Sequence, residues 1–151
     1  MATNKTAAGM LAGDNPKDEK AEYSTAENTS TNAKAAEFFM VLLLAAPMAH
    51  ILHLQTRSFA EHMALDTLYK ELPELTDSLI EAYQGKYGIV EQYPQNATMP
   101  AYNGALEFAV HLNKYVDDTR YSVSDDSEHQ NLIDEIVQLL DSTTYKLKFL
   151  S

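Results

Sequence analysis

The sequence predicts an all-α protein of four helices, and three observations carry that expectation. Phe38 to Leu52 is almost wholly apolar, as a helix packed on several sides would be. Leu65, Leu68, Leu72, Leu75, Leu79 and Tyr83 recur in steps of three and four straight through Pro73, the spacing of one helical face. No segment alternates with the two-residue period of a half-buried strand, and no internal repeat is visible.

Taken in order, residues 1–34 are rich in Ala, Thr, Asn, Ser, Lys and Glu, with few large apolar side chains. Such a stretch offsets little of its chain entropy by burial, so it is expected to be an arm, mobile or ordered by a partner. Residues 35–151 form the expected four-helix domain. The first helix is placed at about Ala35–Gln55 and the second at about Ser58–Tyr87, one long helix bent at Pro73 and ended by Gly85 and Gly88. Gly88 to Asn103 holds Pro94 and Pro100 and no strong period, so it reads as an extended connection long enough to run the length of a bundle. A third helix is expected over Gly104–Tyr121, with Leu106, Ala109, Val110, Asn113 and Val116 facing inward. The fourth begins near Asp125, where Asp125 and Glu128 make an acidic capping-box pattern. Leu132, Ile133, Ile136, Val137, Leu140 and Tyr145 supply its core face.

Composition narrows the function. The chain has 45% apolar residues, enough for a real core, and its length fits one domain. It has no cysteine, which excludes disulfides, thiolate metal sites and thiol catalysis. The net charge of -11 argues against gripping nucleic acid through a basic surface and is compatible with attracting cations. The first 34 residues nearly balance their charges, so they are not a basic DNA-binding tail. The apolar run from Phe38 is about 15 residues, below the roughly 20 needed to span a bilayer, and contains Pro47 and His50; a core helix, not a membrane segment, is expected.

The candidate chemistry lies in His53 (or His50) and His62, followed by Asp77 and Glu81. Imidazole nitrogens with carboxylate oxygens are a ligand set that iron, manganese and zinc accept. Asp77 and Glu81 stand at i and i+4 and share a helical face. His62 and Asp77 lie 15 positions apart, roughly 22 Å along a helix. One ion cannot touch both, so a shared metal requires carboxylates from an antiparallel second copy. At 100° per residue, His62, Asp66, Pro73, Asp77 and Ile80 fall in an arc about 60° wide away from the leucine stripe, with Glu81 at its margin. A face of that kind is what a helix pairing with its two-fold mate would present. The competing reading is ordinary: His53 and His62 each a hydrogen-bonded core or interface histidine, and Asp77 and Glu81 helix-surface acids. His111 with Glu107 reads as a solvated face, His129 as exposed, and Met40, Met48 and Met63 as core filler.

On these residues the chain resembles the ferritin-like superfamily and, within it, the DNA-protecting starvation proteins, over roughly His50–Gly88. A long crossover between helices two and three is also the ferritin-like arrangement. The resemblance implies iron (non-haem, a di-iron centre included), otherwise manganese or zinc. It would be held at a dimer interface by two His of one subunit and the Asp and Glu of its partner, with His62, Asp66, Asp77 and Glu81 at matching spacing. For the first His, His50 has the matching distance to His62. His53-Leu54-Gln55 better resembles the local run, and the short Thr56-Arg57-Ser58 connection favours it. Missing are the basic DNA-binding tail, the aromatic after the first His and the Glu-x-x-His motif of ferritins. The whole chain also resembles small ferritin-like proteins encoded by tailed bacteriophages.

Two functions follow as expectations. One is a homo-oligomer of antiparallel two-fold dimers that binds metal and, as a ferroxidase-type oxidoreductase, oxidises Fe(II) in a bacterial cytoplasm. The other is a non-enzymatic structural bundle of a phage virion that contacts other virion proteins. An adaptor for a host protein is a weaker third.

Overall fold

The structure, a computed structural model, describes residues 18–151, with side chains from Asn32 onward. It is all-α: α1 (Asp18–Gln55), α2 (Phe59–Tyr87), α3 (Ala105–Thr119), a 3₁₀ turn over Arg120–Ser122, and α4 (Ser127–Phe149). The expected arm thus divides. Residues 18–34 continue α1 as helix, whereas residues 1–17 lie outside the described residues. Ala, Glu, Lys and Asn occupy the extension without a breaker, so nothing in the backbone stops the helix before Asp18.

Side-chain contacts set the directions. His53 meets His62 and Asn32 meets Tyr83, so α1 and α2 run antiparallel. Lys86 bonds Glu128, which sets α4 antiparallel to α2. Asn113 bonds Asp141 and Arg120 bonds Asp134, which sets α3 antiparallel to α4. Phe38 stacks on Tyr115 near the far end of α3. The four helices form a square in which α2 and α3 lie diagonally and run parallel. Parallel helices cannot be joined by a tight turn, and residues 88–104 make the full-length crossover. Up-and-down order would have needed only short loops.

Local chemistry explains the ends. Ser58 caps α2, its hydroxyl accepting from the Glu61 N–H at 3.3 Å, while Thr56 Oγ1 donates to Glu61 at 2.5 Å. Three residues therefore suffice to reverse the chain between α1 and α2. Gly88 ends α2 at φ 89, a left-handed backbone that L side chains resist. Gln84 then turns the chain by accepting from the Val90 N–H. Both Pro47 and Pro73 sit inside unbroken helices.

The core is where the 3.6-residue period puts it. Leu65, Leu68, Leu72, Leu79 and Tyr83 of α2 are sealed from solvent against Phe38, Phe39 and Leu42 of α1, Phe108 and Leu112 of α3, and Ile133, Ile136 and Leu140 of α4. Several inward assignments fail. Leu106 and Val110 are 36% and 44% exposed, because the inner face of α3 is centred on Ala105, Phe108, Leu112 and Val116 instead; Tyr145 is 56% exposed, because α4 buries Ile133, Ile136, Leu140, Thr143 and Leu147 on its other side. Met63 is exposed as well, while Met48 packs on the core. The fourth helix is capped at Asp126, whose side chain makes no cap bond, so the Asp125–Glu128 box does not form.

Helix α1 is continuous over residues 32–55 and so is long and apolar enough to cross a membrane by length and composition alone, a test that a core helix also passes. Its inner side lies in the core; its outer side does not.

Candidate functional site

Helix α1 delivers His53 in its last turn and α2 delivers His62 in its second, on either side of the Thr56–Ser58 reversal. The two imidazoles stack with centroids 3.7 Å apart at 25°. Each ring also reaches the other's backbone: His53 Nδ1 lies 2.9 Å from the His62 carbonyl and His62 Nδ1 3.2 Å from the His53 carbonyl. A carbonyl can only accept, so each Nδ1 carries the proton, and in the neutral ring Nε2 holds a lone pair. Among the described residues no hydrogen bond occupies either Nε2, and neither is a buried unsatisfied atom. The result is a reciprocal latch with two open nitrogen donors, the tautomer that metal-binding histidines usually have fixed by a carbonyl partner.

Around the latch, Tyr69 binds the pieces together. Its ring stacks on His50 at 4.2 Å and meets His53 edge-on at 5.2 Å. Its hydroxyl donates to Asp66 at 3.2 Å, and Lys70 bonds the same carboxylate at 2.7 Å. That ammonium, with the tyrosine hydroxyl, holds the Asp66 carboxyl below the usual range. Asp66 therefore already has a cation. His50, whose ring stacks on Tyr69, is exposed, whereas His53 is buried.

Asp77 and Glu81 stand exposed further along α2, apart from the histidines. Among the described residues no three His, Asp or Glu side chains converge as a metal site would require. Of the six candidates, the chain stacks His53 on His62, sets His50 and Asp66 each against Tyr69, and leaves Asp77 and Glu81 separate, as a 15-residue helical interval dictates. Ile80, assigned to the outward arc, is instead buried.

A second cluster was missed from sequence. His129, expected at the surface, is fully buried between Tyr83 and Tyr87, with Nδ1 3.0 Å from Ser124 Oγ. Its Nε2 is buried without a partner. Beside it Asp126 accepts from the Tyr87 hydroxyl and pairs with Lys86 at 2.8 Å, which pushes its carboxyl down to about 2. The signal in the sequence was only the α4 period, since His129 precedes Ile133, Ile136 and Leu140 on the same face. An open groove of about 550 Å³ between the crossover and α1, lined by Asn32, Ala36, Glu37, Val90 and Tyr93, gathers no comparable chemistry.

Residues 53–147, close to two thirds of the chain, match DUF5856, described as a family of unknown function. The chain belongs to the DUF5856 family. The matched region opens at His53 and contains His62, Asp66, Asp77 and Glu81, with His50 outside it. Over 67 residues the chain is 34% identical to an uncharacterized 14.6 kDa protein of the mobD–ri intergenic region of Enterobacteria phage T4. That similarity covers 44% of this chain and 52% of the phage protein, so the chain spans about half the length of the curated relative. No solved structure matches the chain.

Proposed function

We propose that this DUF5856 protein is a ferritin-like bundle that works as a homodimer, each His53–His62 pair being half of a metal site. A second copy supplies the other half through Asp77 and Glu81. The observation that carries this reading is the latch: both Nδ1 atoms are spent on carbonyls, and both Nε2 lone pairs remain for an ion. The parallel α2 and α3 joined by a crossover support the ferritin-like part, because that order distinguishes such bundles from up-and-down ones.

Two imidazoles and two carboxylates suit Fe(II), and also Mn(II) or Zn(II). Fe(II) held there with open coordination positions would supply one electron per ion to a bound oxidant of the peroxide or dioxygen class. The chain's own part is narrower. Ser58 and Glu61 fix the turn, the two carbonyls fix both tautomers, and Tyr69 packs against His53 and holds Asp66 in place. His53, whose Nδ1 is held by the His62 carbonyl, is the better first ligand than His50, whose ring stacks on Tyr69. Such a dimer acts in the cytoplasm of a bacterial host.

Anaerobic titration with Co(II) or Fe(II) tests this. Two-fold symmetry predicts about two ions per dimer, and none for His62→Ala. Unchanged binding in His62→Ala would refute the assignment.

The second reading is a structural bundle of a phage particle, without turnover. The T4 relative and the Lys70 ammonium already lodged on Asp66 favour it. Finding the protein by mass spectrometry in purified particles, with no metal after native purification, would select this reading.

A further inference from the structure

We propose that the second copy docks on the outer face of α1, with the two-fold axis passing level with Leu44 and Ala45. The placement of the axis rests on the metal reading above; the character of the face does not.

The face comes first. Between Glu37 and Arg57 the chain carries no Asp, Glu, Lys or Arg. Much of this stretch is nevertheless outside the core. Leu43, Pro47, His50, Ile51 and Leu54 are exposed on the outer side of α1, Leu54 at 70%. Phe59 at 79% and Met63 at 47% extend the same apolar surface onto the start of α2. A contiguous apolar face of this extent marks a contact surface. A chain of net charge -11 repels its own copies across most of its surface. The outer side of α1 is where two copies can meet without apposing acids.

The position of the axis follows separately. A two-fold axis lies level with the midpoint between whatever it brings together. Joining His62 of one copy to Asp77 and Glu81 of the other puts that midpoint at Lys70–Glu71 on α2. The antiparallel register of α1 on α2 is fixed at both ends, 53 beside 62 and 32 beside 83. In that register the level of Lys70–Glu71 is the level of Leu44–Ala45 on α1. The point required by the site thus falls inside the uncharged stretch of residues 38–56, whose midpoint is Pro47, although neither observation used the other.

The absence of native cysteine gives a clean test. Leu43→Cys and, as control, Val110→Cys on the outer side of α3 are treated with a short bismaleimide. Leu43→Cys is expected to yield covalent dimer and Val110→Cys none. Cross-linking of Val110→Cys alone, or of neither, overturns the proposal. In parallel, Leu43→Asp is expected to weaken the dimer by about a hundredfold or more in sedimentation, since each copy would bury an unpaired carboxylate. An unchanged far-ultraviolet spectrum certifies the fold. A wild-type protein that sediments as a monomer overturns the proposal, and one that floats with phosphatidylcholine vesicles gives the face to lipid instead. A dimer cross-linked through Leu43→Cys that binds no Co(II) upholds this interface while refuting the metal reading.

Discussion

The histidine latch has a stability that can be calculated and measured without metal. His62→Ala removes one N–H to carbonyl bond, worth about 1 kcal/mol, and one ring of a stacked pair, worth about 0.5–1.5 kcal/mol beyond its area. The sum is about 1.5–2.5 kcal/mol. His53→Ala should cost more, because His53 is buried and its ring leaves a cavity behind. Each hydrogen bond ends on a backbone carbonyl that survives replacement of the opposite ring. Only the stacking couples the two sites, so the double-mutant cycle should return about 0.5–1.5 kcal/mol. The assay is urea unfolding followed by circular dichroism in the presence of EDTA. In a chain of this size the single losses correspond to roughly 3–10 °C in Tm. Single variants within about 0.5 kcal/mol of wild type, with no coupling, would mean the rings are not latched. The account of how the donors are held would then fail.

Three further outcomes follow from the fold. Leu68→Ala, at a fully sealed α2 position, should cost about 2–5 kcal/mol by cavity formation, measured by urea unfolding. Gly88→Ala should cost about 1 kcal/mol, all of it backbone strain at φ 89, since an added Cβ would meet nothing within 4 Å. Asp126 is a carboxyl lowered to about 2 in the folded chain by Lys86 and Tyr87, against an ordinary value of 3.8. A lowered acid stabilises above its unfolded pKa and loses that contribution as pH falls through the folded one. Wild-type Tm should therefore drop between about pH 4 and 2, and Asp126→Asn should drop less over that window.

How far the sequence disclosed this depends on which face of each helix was in question. The leucine stripe of α2 was legible because only one arc of that helix is apolar, and the period locates it. The crossover was legible because Pro94, Pro100 and Gly88 deny residues 88–104 a helix. Helix α1 gave no such guidance: a stretch apolar all round names no outer side. The exposure of Leu43, Ile51 and Leu54 emerged only once α2 and α3 were in place. Leu106, Val110 and Tyr145 were misassigned for another reason: each lies about 100° or more around its helix from the buried face, and being apolar or aromatic did not place it inward. In the site, spacing alone implied that His53 and His62 could meet across a three-residue turn. It held no hint that each ring would cap the other's carbonyl, because that depends on the crossing of two helix ends. His129 was misread since a histidine at a helix start is more often solvated, and the Tyr83–Tyr87 pair that covers it is remote in sequence.

The central claim is that one site is built by two chains, and mixing tests it. His62→Ala lacks one half of each site, and Asp77→Asn/Glu81→Gln lacks the other, so neither homodimer should bind Co(II). Unfolded together and refolded, they should form mixed dimers in which one site is intact and its twin doubly broken. The account predicts that Co(II) binding reappears at about one ion per mixed dimer. Continued absence of Co(II) from the isolated mixed dimer, or full binding by either variant alone, would contradict it.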